Sequence, residues 1–173
     1  MGRLKTMKTE DYIWKIHRKI LINAKISKIW DIISSDGHLE KFHPFCKKNE
    51  VKVWDNSSHE DSIEYYNGRI LYRNFYNWFK GKGFDLTIGD SKGKESHVFW
   101  RLSKADVNTL VSITVKPYIY NKGSKLKNFI PYFTFVRPKL ANYLYSVLMG
   151  LKHHSETDQN VVRNQFGRHS WFS

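Results

Sequence analysis

The stretch "ILINAKISKIWDIISSDGHLEKFHPF", Ile20–Phe45, decides which fold this chain can adopt. Its first residues complete a run of alternating apolar and polar side chains that begins at Tyr12. Alternation of this kind predicts a β-strand with one buried face, because successive side chains of a strand point to opposite sides. The predicted strand spans Tyr12–Ala24, and the side chains that share its apolar face are Trp14, Ile16, Arg18, Ile20 and Ile22.

Two short helices are predicted after this strand. Apolar residues at helical spacing indicate the first of them, with Ser27 placed as its N-cap; these residues are Ile26, Ile29, Trp30 and Ile33. The turn signal at Asp36-Gly37 and the helix-ending Pro44 leave room for one brief second helix.

The remainder of the chain predicts a sheet and one long helix. Residues 50–120 contain six short runs rich in β-branched and aromatic residues, separated by Gly, Asn and Asp, which is typical of an antiparallel meander. Pro138–His154 then places an apolar stripe at helical spacing, with Pro138 suited to the first turn. Because a curved sheet of this size must cover one face, we expect an α+β fold in which this helix is the cover.

This pattern resembles the helix-grip superfamily, also called START-like or SRPBCC, which includes Bet v 1-like pollen allergens, polyketide cyclases and ubiquinone-binding proteins. The resemblance rests on a strand that ends in Asn23-Ala24, a helix that contains Trp30-Asp31, and the pair His43-Pro44. It implies a curved antiparallel sheet of about six or seven strands wrapped on the C-terminal helix. It also implies a cavity between sheet and helix that binds hydrophobic or amphipathic small molecules.

The length of 173 residues suits a single domain over residues 1–173, with a core over about 12–155 and a C-terminal tail over 156–173. The tail carries Phe166, Trp171 and Phe172, which would be costly to leave in water. We expect it to fold back and seal one end of the grip, with Gly167 allowing a sharp bend. The alternative is an exposed peptide that binds another subunit or a membrane.

Strand parity and helix periodicity together predict the residues that would bind a ligand in the cavity. They are Trp14, Arg18, Trp100, Ile113, Tyr143 and Val147. Arg18 is the polar member of this set, and an arginine on an apolar face needs a carboxylate partner, an exit to solvent or an anionic ligand group. If Arg18 faces the cavity, the ligand is acidic.

Catalytic signatures are sparse, so a carrier or sensor is favoured over an enzyme. His43 is a weak candidate for an acid or base in a cyclase or dehydratase acting on an aromatic or polyketide-like substrate. The thiol of Cys46, near Lys47 and Lys48, could have a lowered pKa. The sequence has no nucleophile elbow, phosphate loop or zinc-type cluster, so no metal site and no cofactor are predicted.

The charge distribution bears on partners. The formal charge is +13, and from Lys116 onward there are nine basic residues and two acidic ones. This asymmetry suggests an anionic neighbour or simply a solvated basic face. The segment Asn121–Arg137 joins lysines to aromatic residues, which suits either docking on an anionic membrane or, as we prefer, a lid over the cavity mouth.

Other partners are less well indicated. Residues 69–84 interleave basic and aromatic side chains, as surfaces that bind nucleic acids do, but half-buried strands commonly show the same alternation. Nucleic-acid binding is therefore not expected, and a basic module that docks on RNA is kept as a minor alternative. The aromatic-rich sheet edge and tail could equally serve a homodimer. The single Cys46 and an N-terminal stretch without a signal-peptide core predict a cytoplasmic protein.

Overall fold

A seven-stranded antiparallel sheet forms the frame of the structure, a computed structural model that describes residues 12–173. The strands lie in the order β1-β7-β6-β5-β4-β3-β2, so all neighbours except β1 and β7 are consecutive in the chain. This confirms the predicted meander and α+β class. The strands are β1 (Ile16–Ile22), β2 (Cys46–Trp54), β3 (His59–Tyr65), β4 (Ile70–Phe79), β5 (Gly83–Gly89), β6 (Glu95–Ala105) and β7 (Asn108–Lys116).

Short helices follow β1, and a long one ends the regular structure, as predicted. Ser27 is not the N-cap of the first helix, because that helix already begins at Ile26 and its N-cap, Lys25, makes no capping bond through its side chain. The helices are α1 (Ile26–Ser34), α2 (Leu39–Phe42), α3 (Lys125–Pro131), a π-helical turn (Tyr132–Val136) and α4 (Arg137–Thr157). Among the helices of residues 12–173, we find none with both the length and the apolar character needed to cross a bilayer.

Helix α4 packs closely on α2 because residue 150 is glycine. A Cβ atom at Gly150 would lie 2.0 Å from the carbonyl oxygen of Phe42, well inside van der Waals contact. Leu144, Leu148 and Leu151 are buried on the same helix. The close approach fixes α4 against the α1–α2 region while the sheet curves around its other side.

Strand β1 is shorter than predicted, since it begins at Ile16 and leaves Trp14 ahead of the sheet. The Asn121 side chain holds the Trp14 backbone there, accepting from its N–H at 3.0 Å and donating to its carbonyl oxygen at 2.7 Å. The Trp14 ring stacks on Tyr132 with a centroid distance of 4.6 Å. Trp14 is therefore a packing partner of the helical segment before α4.

The segment before α4 is helical. It consists of α3 and the π-helical turn, which lead directly into α4. Its residues do not line the cavity, so the predicted lid over Asn121–Arg137 is wrong. Tyr132 and Val136 are buried and attach the segment to the domain. Residues 1–11, which carry much of the N-terminal stretch behind the cytoplasmic prediction, lie outside the described residues.

The tail after α4 crosses the surface near α2 and returns to α4. The Val161 N–H donates to the carbonyl oxygen of Lys41, and the Asn164 N–H to that of Pro44. Gly167 has a φ of +99°, which reverses the chain. Phe172, close to the C-terminus, is 6% exposed.

Candidate ligand-binding cavity

A cavity of about 810 Å³ lies between the concave face of the sheet and α4. This volume falls within the range of sites that hold small organic molecules, roughly 300–1,000 Å³. Apolar side chains from both layers form most of its wall, and they include Ile63, Leu71, Leu86, Val98, Trp100, Ile113, Val115, Leu140, Leu144 and Val147.

The structure places five of the sequence-predicted site residues in this wall and two outside it. The five that it brings together are His43, Trp100, Ile113, Tyr143 and Val147. Of the other two, Trp14 packs on Tyr132, as described above.

Arg18 is the second correction. It pairs with Ile113 in the β1–β7 register, so its predicted parity is right. However, β1 is an edge strand, and the Arg18 side chain leaves the sheet for solvent, where its Nη1 donates to the carbonyl oxygen of His17 at 3.3 Å. A long basic side chain at an edge can keep its charge in water in this way. Arg18 thus gives no reason to expect an acidic ligand.

A chain of three hydrogen-bonded side chains forms the main polar feature of the cavity. His43 Nε2 lies 2.9 Å from the Tyr143 hydroxyl, which lies 3.0 Å from the Tyr65 hydroxyl. The Phe45 N–H donates to His43 Nδ1 at 3.3 Å, so the proton of a neutral ring sits on Nε2. His43 then donates to Tyr143, and either hydroxyl can be the donor in the bond between Tyr143 and Tyr65.

Tyr65 stands at the end of this chain. Within residues 12–173, its hydroxyl makes no hydrogen bond other than the one with Tyr143. Tyr65 and Tyr143 both line the cavity, and because the three groups hold three protons but form two hydrogen bonds, one hydroxyl proton is left unused. Sequence reasoning missed Tyr65, although its alternation with Ile63 along β3 marks both as facing the same side.

Burial keeps all three groups neutral. Burial, assisted by the charge of Arg73, lowers the pKa of His43 to about 3. Burial also raises the pKa of Tyr65 to about 12 and raises that of Tyr143 well above its ordinary value. Near neutral pH the chain therefore carries one unused hydroxyl proton, and His43 has neither a proton to give as a cation nor an unoccupied lone pair.

A buried ion pair is the second polar feature of the wall. Arg73, on β4, points inward and binds Asp61 of β3 through two hydrogen bonds, with Nε donating to Oδ1 at 2.6 Å and Nη2 to Oδ2. Nη2 also lies 3.4 Å from His38 Nε2. Because His38 Nδ1 donates to the carbonyl oxygen of Ser35 at 2.7 Å, Nε2 is the accepting nitrogen.

Sequence reasoning missed this cluster, although the alternation of Leu71, Arg73 and Phe75 along β4 indicated an inward arginine. Burial raises the pKa of Asp61, but the charge and hydrogen bonds of Arg73 outweigh burial and hold the pKa below its ordinary value. Burial and the Arg73 charge lower the pKa of His38 to about 3. The cluster therefore consists of a positively charged Arg73 and a negatively charged Asp61, beside the uncharged imidazole of His38.

The C-terminal tail contributes to the mouth of the cavity. The Phe172 ring lies 4.4 Å from that of Tyr65 and 4.7 Å from that of Tyr143, measured between centroids. The Asn67 side chain donates to the Trp171 carbonyl oxygen at 2.7 Å. Further polar side chains also line the cavity, namely Arg69, Asp90 and Lys94.

Cys46 does not have the reactive environment that its lysine neighbours suggested. The side chain is buried, and burial raises the pKa of its thiol to about 12. Among residues 12–173, no group of three or more His, Cys, Asp or Glu side chains is arranged to hold a metal ion.

Comparisons with known proteins identify the fold. No protein-family model and no curated protein match the sequence. Solved structures do match: the Aha1 dimer from Colwellia psychrerythraea is 16% identical, with a TM-score of 0.63 and coverage of 84% of this chain and 98% of that one. TTHA0849 from Thermus thermophilus is 11% identical, with a TM-score of 0.66 and coverage of 82% and 97%.

A further match is DynU16, a protein from the dynemicin biosynthetic locus, at 11% identity and a TM-score of 0.65. The match covers 87% of this chain and 51% of DynU16, so this chain spans about half the length of DynU16. The chain thus has the helix-grip fold that the segment Ile20–Phe45 predicted. At these identities the comparisons establish the architecture alone.

Proposed function

We propose that this protein binds a hydrophobic or amphipathic small molecule or lipid in the cavity between sheet and helix, as a carrier or sensor. The observation that carries the proposal is the cavity of about 810 Å³ with an apolar wall and one unused hydroxyl donor. Apolar burial would supply most of the affinity. The Tyr65 hydroxyl would select and orient the ligand.

The chemistry of the wall favours a ligand with a neutral hydrogen-bond acceptor, such as a carbonyl, ether or hydroxyl oxygen. Arg73 is already bound to Asp61 by two hydrogen bonds. An anionic group at Arg73 would have to compete with that carboxylate, whereas a neutral acceptor needs only the unused hydroxyl proton of the Tyr143–Tyr65 pair. Beside Arg73, neutral acceptors are therefore preferred over carboxylates, and an anionic group would instead lie beside Arg69 or Lys94, which also line the cavity.

The first test is native mass spectrometry of the purified protein, followed by denaturing extraction of any retained molecule. The second is titration with the neutral fluorescent probe N-phenyl-1-naphthylamine. Val147→Trp fills the cavity from α4, whereas Val107→Trp adds the same side chain at the 78% exposed turn between β6 and β7.

We expect Val147→Trp to bind the probe roughly tenfold more weakly and Val107→Trp to match the wild type. Both variants should give the wild-type circular dichroism spectrum, so that weaker binding reports the cavity. A protein that carries no molecule and binds the probe equally in all three forms would overturn the proposal.

A second candidate is an enzyme of the cyclase or dehydratase kind, which the His43–Tyr143–Tyr65 chain favours. Two proteins with the same fold belong to a biosynthetic locus or pathway, namely DynU16 from the dynemicin locus and the di-domain ARO/CYC StfQ from the steffimycin pathway. StfQ is 9% identical, with a TM-score of 0.59 and coverage of 83% of this chain and 45% of that one. In this chain Tyr65 would polarise a substrate carbonyl, while His43 positions Tyr143. Tyr65→Phe separates the candidates, because an enzyme would lose turnover and a carrier only part of its affinity.

The predicted homodimer stays a prediction. The similar Colwellia protein was solved as a dimer, and the β1 edge of the sheet in this chain offers surface for a second copy. Light scattering of the purified protein measures its mass directly and tests this point.

A further inference from the structure

The segment before α4 exposes apolar side chains. Leu126 is 89% exposed, Ile130 69%, Phe135 63% and Phe129 52%. We call these four residues the apolar ridge. A group of large exposed apolar side chains within ten residues of chain is unusual on a protein that makes no contacts there, and marks an interaction surface.

The ridge is a built surface and not a frayed end. Leu126, Phe129 and Ile130 follow the spacing that places side chains on one face of a helix, here α3. Behind them, Tyr132 is 1% exposed and stacks on Trp14, whose ring also lies 6.4 Å from that of Phe129. The domain therefore holds the segment in place while its apolar face points to solvent.

The charge around the ridge indicates what covers it. Residues 116–155 contain seven lysines and arginines and neither aspartate nor glutamate. Lys127 on α3 and Arg137 at the start of α4 are exposed. A partner must therefore be apolar where it meets the ridge and anionic around it, which is the chemistry of an acidic phospholipid surface.

We propose that the apolar ridge docks this protein on an anionic phospholipid bilayer. Leu126, Phe129 and Ile130 would enter the boundary between headgroups and acyl chains, and the basic side chains would stay among the headgroups. This surface is separate from the cavity but close to it along the chain, since Tyr120 on one side of the segment and Leu140 on the other line the cavity.

The test is cosedimentation of the full chain with phosphatidylcholine vesicles that contain or lack phosphatidylglycerol. The variant Leu126→Asp/Ile130→Asp changes two exposed residues and should fold as the wild type does. Val107→Asp is the control, because it places the same charge on an exposed apolar residue at the opposite end of β6 and β7.

We expect wild type and Val107→Asp to sediment with the anionic vesicles and to be released by salt. The double variant should bind at least tenfold more weakly, and Lys127→Glu roughly fivefold to tenfold more weakly, from the loss of one positive charge and the gain of a negative one.

Two results would overturn the proposal. One is equal sedimentation of the double variant and the wild type. The other is a wild type that fails to sediment with the anionic vesicles. If that wild type is dimeric by light scattering and the double variant is monomeric, the ridge joins two copies of this chain instead. Val147→Trp keeps the ridge intact, so it should sediment normally whatever the cavity binds.

Discussion

Breaking the buried ion pair between Asp61 and Arg73 is expected to destabilise the protein severely. The side chain of Asp61 is 0% exposed and that of Arg73 5%. Asp61→Asn would leave the guanidinium buried without a counter-charge, which typically costs about 3–5 kcal/mol. For a chain of this size, such a loss lowers the melting temperature by roughly 6–20 °C. Urea denaturation at neutral pH measures the free energy of unfolding directly.

Two further variants sharpen this prediction. Asp61→Leu/Arg73→Met removes both charges, so we expect it to lose less stability than the sum of the two single changes. Glu64→Gln breaks the exposed pair with Lys47, whose side chain is 55% exposed, and should cost no more than about 1 kcal/mol. If Asp61→Asn costs as little as Glu64→Gln, the ion pair does not have the structural role assigned to it.

Three other predictions concern acid, packing and thiol chemistry. Because the folded pKa values of His38 and His43 are lowered from 6.5 to about 3, the unfolded state binds protons first as the pH falls. Stability should therefore be complete above pH 6.5 and decline towards pH 3, and a flat profile over that range in urea melts would contradict the assignment. Gly150→Ala should cost roughly 1–3 kcal/mol despite the better helix propensity of alanine, because its Cβ meets the Phe42 carbonyl; an unchanged melting temperature would mean that α4 moves freely away from α2. Cys46 should react with Ellman's reagent only on unfolding, since it is buried with a raised pKa; rapid labelling of the native protein would contradict this.

The parts of the fold that the sequence could predict are those that periodicity determines. Alternation along β6 and β7 placed Trp100 and Ile113 on the concave face, and the helical stripe of α4 placed Tyr143 and Val147 opposite them. These residues line the cavity because parity and helical spacing are local properties of the chain. His43 was found differently, through its place in the family-like His-Pro pair.

The alternation of side chains along a strand does not reveal where that strand lies in the sheet. The position of the strand explains why Arg18 was placed in the cavity wrongly and why Arg73 was missed. Arg18 and Arg73 both alternate with apolar residues. Because β1 pairs only with β7, Arg18 lies at an edge and reaches water, whereas β4 lies between β3 and β5 and holds Arg73 inside. The partner that makes this burial tolerable, Asp61, is twelve residues away on the next strand, and its register is visible only in the folded sheet.

The direction of the hydrogen-bond chain depends on one backbone group and has consequences for what the cavity binds. The Phe45 N–H fixes the proton of His43 on Nε2, so His43 donates to Tyr143 and one hydroxyl proton of the Tyr143–Tyr65 pair is left over. If His43 were turned around, Tyr143 would donate to it and the cavity would present an acceptor. The preference for neutral acceptors that we propose thus depends on the turn at His43-Pro44, part of the same stretch that predicted the fold. Tyr65→Phe removes one of the two hydroxyls without changing the apolar wall, so it should weaken acceptor-bearing ligands by roughly twofold to tenfold and leave pure hydrocarbons unaffected.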